Sequence, residues 1–150
     1  MTKREESINN FLSGYNCSQS VVKAFSKELE DASYNVEEML KIASPFGGGM
    51  GRLREVCGSI SGAFLVLGAL YGYNTPETGD KKKDLYSKVQ DIAKSFEEKH
   101  GSIVCRELLG LDNKHDSPIP SERNNEFYKK RPCMELIGDA AEIVESENEL

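Results

Sequence analysis

Histidine is scarce in this 150-residue chain, which holds two, and no two of its four cysteines stand in a CxxC spacing. That excludes zinc ribbons and local dithiol motifs, so any joint cysteine chemistry has to be assembled by the fold. No CxxCH occurs, which removes the anchor for covalent haem c. Basic patches interleaved with aromatics are missing too. Asp and Glu number 25 against 19 Lys and Arg, a net charge of −6, and this argues against nucleic acid as a partner. The longest apolar run, around Ile60 to Tyr73, is broken by Ser61, Gly62, Gly68 and Gly72 and is too short for membrane insertion. Behind the charges of Met1 to Glu6 no apolar stretch follows, so the expected location is a reducing cytoplasm, where structural disulfides are rare. There is no Gly-Lys-Ser/Thr phosphate loop, no dinucleotide fingerprint and no serine elbow, so no nucleotide is expected. Of the two histidines, His100 reads as a cation at a helix C-terminus and His115 as part of a polar loop.

What is present is helical periodicity. An apolar content of 38% with 29% charged residues fits one domain over 1–150. Asn16 caps a helix with Val21, Val22, Phe25 and Leu29 on one face, and Asn35 caps a second with Val36, Met39, Leu40 and Ala43 inward. From Cys57 onward the chain is apolar all round, which predicts a central helix over 57–72 surrounded by the others. Small residues there, Gly58, Ser59, Gly62 and Ala63, allow close helix approach. A long amphipathic helix follows over 80–100, stopped by Gly101, then a short one over 102–109 and a last one opened by Pro132. A further helix is expected over 5–12. Segments 44–51 and 110–120 read as loops. The acids Asp139, Glu142, Glu145, Glu147 and Glu149 read as the solvated face of an acidic C-terminal helix end, 139–150. No segment alternates with period two. The fold class is all-α, a compact bundle of about five to six helices.

On these elements Cys17, Cys57 and Cys133 fall at helix starts. Free N–H groups and the positive dipole end favour a thiolate there, so depressed thiol pKa values are expected. Flanking cations agree: Arg52 and Arg54 before Cys57, Arg106 after Cys105, and Lys129, Lys130 and Arg131 before Cys133. Cys17 has none. Free cysteine also behaves as a small buried hydrophobe, and Cys105, in Ile103-Val104-Cys105, fits that role best. The run Phe46-Gly47-Gly48-Gly49-Met50-Gly51-Arg52 is the second constellation. Its glycines, with Gly58 beyond, permit positive φ and can aim N–H groups at an anion or a metal-bound sulfur, or simply connect two close helices.

Cys17 in Asn16-Cys17-Ser18-Gln19-Ser20, the glycine-rich turn, Cys57-Gly58-Ser59-Ile60-Ser61-Gly62-Ala63, and lone cysteines at 105 and 133 together resemble the small redox-active proteins named for the pattern C, GCAxxG, C, C. Ser59 stands in the place of the pattern's alanine and would put a hydroxyl near Cys57. The resemblance implies a redox role. A similar domain in split-Soret cytochromes is associated with an iron–sulfur cluster. The first expectation is therefore that Cys17, Cys57, Cys105 and Cys133 bind an iron–sulfur cluster, or that some of them cycle between dithiol and disulfide, with Cys57 as nucleophile and Cys133 or Cys17 as its partner. Either would serve an oxidoreductase or an electron carrier with a redox partner protein. A Zn²⁺–thiolate site is the second reading, and a helical interaction domain, with an apolar face able to support a homodimer, the third.

Overall fold

Thr2 starts the first helix by a reciprocal cap: its hydroxyl accepts from the Glu5 N–H while the Glu5 carboxylate accepts from the Thr2 N–H. A computed structural model describes residues 1–111 and 116–150, without the side chains of Lys129 and Lys130. His115 lies outside the described residues. The helices are α1 (Lys3–Leu12), α2 (Cys17–Ala24), α3 (Ser26–Asp31), α4 (Val36–Ala43), α5 (Gly47–Met50), α6 (Gly58–Tyr71), α7 (Lys81–His100), α8 (Cys105–Leu108), α9 (Asn125–Lys130) and α10 (Cys133–Glu147). A 3₁₀ turn at Ser44–Phe46 precedes α5. Among the described residues there is no strand, only one antiparallel bridge between Val56 and Val104, and no helix long and apolar enough to cross a membrane.

The class is all-α, as expected, but with more and shorter segments. The helix capped by Asn16 breaks at Phe25, where φ is −100° and ψ 23°. There the Phe25 N–H drops back to the Val22 carbonyl, and the Ser26 hydroxyl takes the Lys23 carbonyl, the side-chain competition that interrupts helices. Three single-turn or near single-turn segments, α5, α8 and α9, account for the rest. Of these only α8 was expected: α5 falls in 44–51, read as a loop, and is irregular at Gly48 and Gly49, while α9 was not anticipated although Asn124 accepting from the Phe127 N–H is an ordinary cap signal.

Helix α1 packs on α2 and α10, and α6 lies among α2, α7 and α10. The first half of α6, Gly58 to Ala63, is buried all round, whereas in its second half Val66 and Leu67 are buried and Gly68 is exposed. It is central at one end and one-sided at the other. Inside sit Phe11, Phe25, Ile60, Leu67, Phe96 and Ile137.

Two sequence expectations fail at one place. Asp139 is not on a solvated face: it is buried on α10, ion-paired through Oδ1 with Arg4 of α1 and bound through Oδ2 to His100 Nε2 of α7 at 2.7 Å. His100, stacked on Phe96 with ring centroids 4.7 Å apart, thus serves a carboxylate rather than a helix end. Burial pushes the Asp139 carboxyl up, but hydrogen bonds from Arg4 and His100 more than offset this and hold it below its ordinary value. One charge ties three helices together, which periodicity alone cannot show.

Candidate functional site

All four cysteines lie at helix starts, Cys105 included. Cys17 is the first residue of α2 behind the Asn16–Gln19 capping box, Cys57 is the N-cap of α6, Cys105 opens α8, and Cys133 opens α10 after Pro132. The four helix starts converge on one cavity of about 400 Å³ that all four sulfur-bearing residues line. Cys105 is buried, as the core-filling reading expects, but it also opens a helix and lines this cavity. No disulfide joins any of them.

Cys57 and Cys105 are set by backbone pairing. Around the Val56–Val104 bridge the Cys57 N–H donates to the Ile103 carbonyl at 2.7 Å and the Cys105 N–H to the Glu55 carbonyl at 2.6 Å. Side chains alternate along such a pair, so with Val56 and Val104 on one face Cys57 and Cys105 share the other.

The glycine run supplies the cavity's third wall. From Gly48 to Arg52 every residue has φ between 61° and 69°, one turn of left-handed backbone closed by a Gly51 N–H to Gly47 carbonyl bond of 2.9 Å. Met50 and Arg52 adopt this conformation at a cost of about 1–2 kcal/mol each, so the glycines are what make the turn affordable. At Gly49 there is no room either: a Cβ would come within 2.6 Å of Cys105 Cβ and 2.8 Å of the Arg54 Cα. Gly47, Gly48, Gly49, Gly51 and Gly58 all line the cavity. The Gly48 N–H points at the Cys17 sulfur, and Gly58 lets α6 press against Cys17, where a Cβ would meet Cys17 Cβ at 2.9 Å.

Every sulfur faces a donor. Ser59 Oγ is 3.0 Å from Cys57 Sγ, Arg54 Nη1 is 3.6 Å from Cys105 Sγ, and the Cys17 thiol donates to Cys133. Even so, the depression expected for the thiols of Cys17, Cys57 and Cys133 fails for the first two, and Cys105 is raised as well. Burial and the neighbouring Cys17 push the Cys57 thiol up to about 12, with Ser59 opposing. Cys17 rises because it is the proton donor to Cys133 and is buried; Cys105 rises through burial, opposed by Arg54. Only Cys133 falls, chiefly because it accepts from Cys17, with Arg131 helping. Cys133 feels the other three thiols, Cys57 feels Cys17 and Cys105, and Cys105 feels Cys17; burial together with this crowding outweighs the helix-terminus field at Cys17, Cys57 and Cys105. The cation expected beside Cys105 is also a different one: Arg106 pairs with Glu55 at 3.2 Å, and Arg54 takes its place.

Sequence reasoning missed Arg123, Phe11 and Phe127 as cavity residues. They come from segments with no motif, and only the packing of α9 against α1 brings them there.

A search of known families places this arrangement. Residues 15–147 match the family model described as "Putative redox-active protein (C_GCAxxG_C_C)". The chain belongs to this family. At the second cysteine its order is Cys57-Gly58-Ser59, with cysteine before glycine and serine in place of alanine. An uncharacterized protein of Archaeoglobus fulgidus is 29% identical over 137 residues, covering 85% of this chain and 81% of that protein. No solved structure matches the chain.

An iron–sulfur cluster or zinc ion can be tested against the side chains present. Among the described residues no three Cys, His, Asp or Glu groups are gathered tightly enough to hold one metal ion. Four thiols spread around one cavity, with donors beside Cys17, Cys57 and Cys105, fit a polynuclear group better than a single tetrahedral ion.

Proposed function

We propose that this family member is a redox protein whose Cys17, Cys57, Cys105 and Cys133 hold an iron–sulfur cluster in the shared cavity, exchanging electrons with a partner protein in the cytoplasm. The observation that carries the reading is the convergence of four helix starts on one space lined by all four cysteines. Such a group would supply one-electron transfer; the chain supplies the rest. Gly48 N–H, the Ser59 hydroxyl and Arg54 direct hydrogen bonds to Cys17, Cys57 and Cys105, the lever by which a protein sets the potential of sulfur-bound iron. Three raised thiol pKa values are consistent with this, because a bound cation drives off the protons that buried thiols otherwise retain. Zinc ranks below it because the sulfurs would have to close up around a single ion.

The hydrogen-bonded Cys17–Cys133 pair favours a second reading, dithiol exchange. There the Cys133 thiolate attacks one sulfur of a partner's disulfide and releases its other sulfur as thiolate. The Cys17 thiol then loses its proton and attacks the mixed disulfide, leaving Cys17–Cys133 oxidised and the partner a dithiol.

Anaerobic reconstitution with ferrous iron and sulfide decides between them. The expected result is stoichiometric iron and acid-labile sulfide with visible absorption, lost in Cys57→Ser and Cys105→Ser. A protein that takes up no iron, yet forms a reversible Cys17–Cys133 disulfide with partner dithiol released, selects the exchange reading. Stoichiometric zinc without visible absorption removes both.

A further inference from the structure

The cavity carries more donors than its thiols use. Arg52, Arg54, Arg123 and Arg131 line it, and no Asp or Glu does among the described residues, although the chain is acidic overall. Arg123 is occupied: it donates to the Phe11 carbonyl and, at 2.7 Å, to the Tyr15 carbonyl. Arg54 and Arg131 are less completely paired, and Arg52 is held mainly by neutral acceptors. Arg54 is only 1% exposed. Its Nε meets Asp116 Oδ2 at 2.8 Å and its Nη1 faces Cys105, but its Nη2 has no hydrogen-bond partner among the described residues. Arg52 donates to the Ser117 carbonyl at 2.7 Å and the Ser121 hydroxyl at 2.9 Å, and its Nη2 approaches Asp116 only to 3.8 Å. Arg131 reaches Ser121 at a long 3.4 Å and lies over the Phe127 ring at 5.0 Å.

Asp116 is the one carboxylate described as ion-paired to any of these three guanidinium groups. Their mutual repulsion is felt by Arg52, held below its ordinary value by burial and by the charges of Arg54 and Arg131. A buried guanidinium with a free N–H end is unfavourable unless something else brings acceptors. The cavity lining also holds the apolar Leu108, Leu109, Pro118, Phe127 and Leu136. Guanidinium donors together with hydrocarbon, around about 400 Å³, are the makings of a small-molecule site.

We propose that this cavity binds a small organic oxyanion, a carboxylate or a phosphate ester with a compact apolar body. Its oxygens lie on Arg52, Arg54 and Arg131, and its body lies against Leu108, Phe127 and Leu136, beside Cys105. Planar guanidinium forks suit paired oxygens of either kind. The inference goes beyond the redox reading and does not depend on which redox group the thiols form.

The test is calorimetric titration of the anaerobic protein, both metal-free and treated with iron and sulfide, using benzoate and phenyl phosphate as probes. Inorganic phosphate and chloride at matched ionic strength serve as controls. At least one aromatic anion should bind one-to-one, inorganic phosphate more weakly. Arg52→Gln and Arg131→Gln should each weaken binding by about tenfold or more, with partial rescue in Arg131→Lys. Arg54→Met should abolish it; should that variant not fold, the other two carry the test. Which probe binds assigns carboxylate or phosphate ester. Lack of saturable binding of either probe by either form overturns the proposal, as does binding indifferent to Arg52 and Arg131. Iron content, measured alongside, separates the two readings: anion binding without iron uptake keeps this site and removes the cluster, and iron uptake without anion binding does the reverse.

Discussion

Asp139 and Arg54 are both buried charges, but they are built in differently. Asp139 has a cation or an imidazole on each oxygen and joins α1, α7 and α10. Arg54 sits at the end of a left-handed turn, itself at φ 59°, touches a carboxylate and a thiol, and keeps one N–H end without a described partner. Where a buried charge is fully paired, removing it exposes its partners' desolvation; where it is left short, the fold is holding a donor in reserve. The first arrangement serves the fold, and the second serves something that comes from outside.

The comparison breaks if both sites respond alike to mutation. Asp139→Ala should destabilise by about 3–5 kcal/mol in urea unfolding, the range for breaking a buried pair. Leu67→Ala, at a fully buried position of α6, sets the scale of pure packing at about 2–5 kcal/mol. Arg54→Met, close in shape and leaving Asp116 to water, should cost less than about 1 kcal/mol. An Arg54→Met loss equal to that of Asp139→Ala would make Arg54 a structural residue.

The two regions also predict opposite limbs of the pH–stability curve. Asp139 is lowered in the fold, so its contribution is complete above the unfolded value of 3.8 and is lost as pH falls through the folded value. Asp139→Asn should therefore flatten the acid limb. Cys57 is raised, so its contribution is complete below the unfolded value of 9.0 and drains away as pH climbs from there to about 12. Cys57→Ser should flatten the alkaline limb and leave the acid one alone. Thermal midpoints across pH for the two variants check both signs.

Much of this was legible in the sequence because it rests on local rules. The caps at Asn16 and Asn35, the stop at Gly101 and the apolar run of α6 are properties of neighbouring residues, and they put three cysteines at helix starts correctly. What was hidden depends on contacts between distant segments. Cys105 reads as filler until the Val56–Val104 bridge turns it to the side of Cys57. Asp139 reads as solvated until Arg4 and His100 arrive from other helices. The thiol pKa values went the wrong way for the same reason: a helix start is visible in sequence, whereas the desolvation created by crowding four such starts together is not.

Ser59 offers the finest test of the cavity side, because the family pattern has alanine there and this chain adds a hydroxyl 3.0 Å from Cys57 Sγ. Ser59→Ala removes one neutral hydrogen bond, so stability should change by less than about 1 kcal/mol. The hydroxyl is one of the groups opposing the rise of the Cys57 thiol. Without it the alkaline transition should move higher still, and alkylation of Cys57 at a fixed pH between 9.0 and about 12 should slow while that of Cys133 stays the same. Faster alkylation of Cys57 in the variant would mean that the hydroxyl shields the sulfur rather than donating to it, and the idea that each cavity sulfur is matched with a donor would fail at the position where this chain departs from its family.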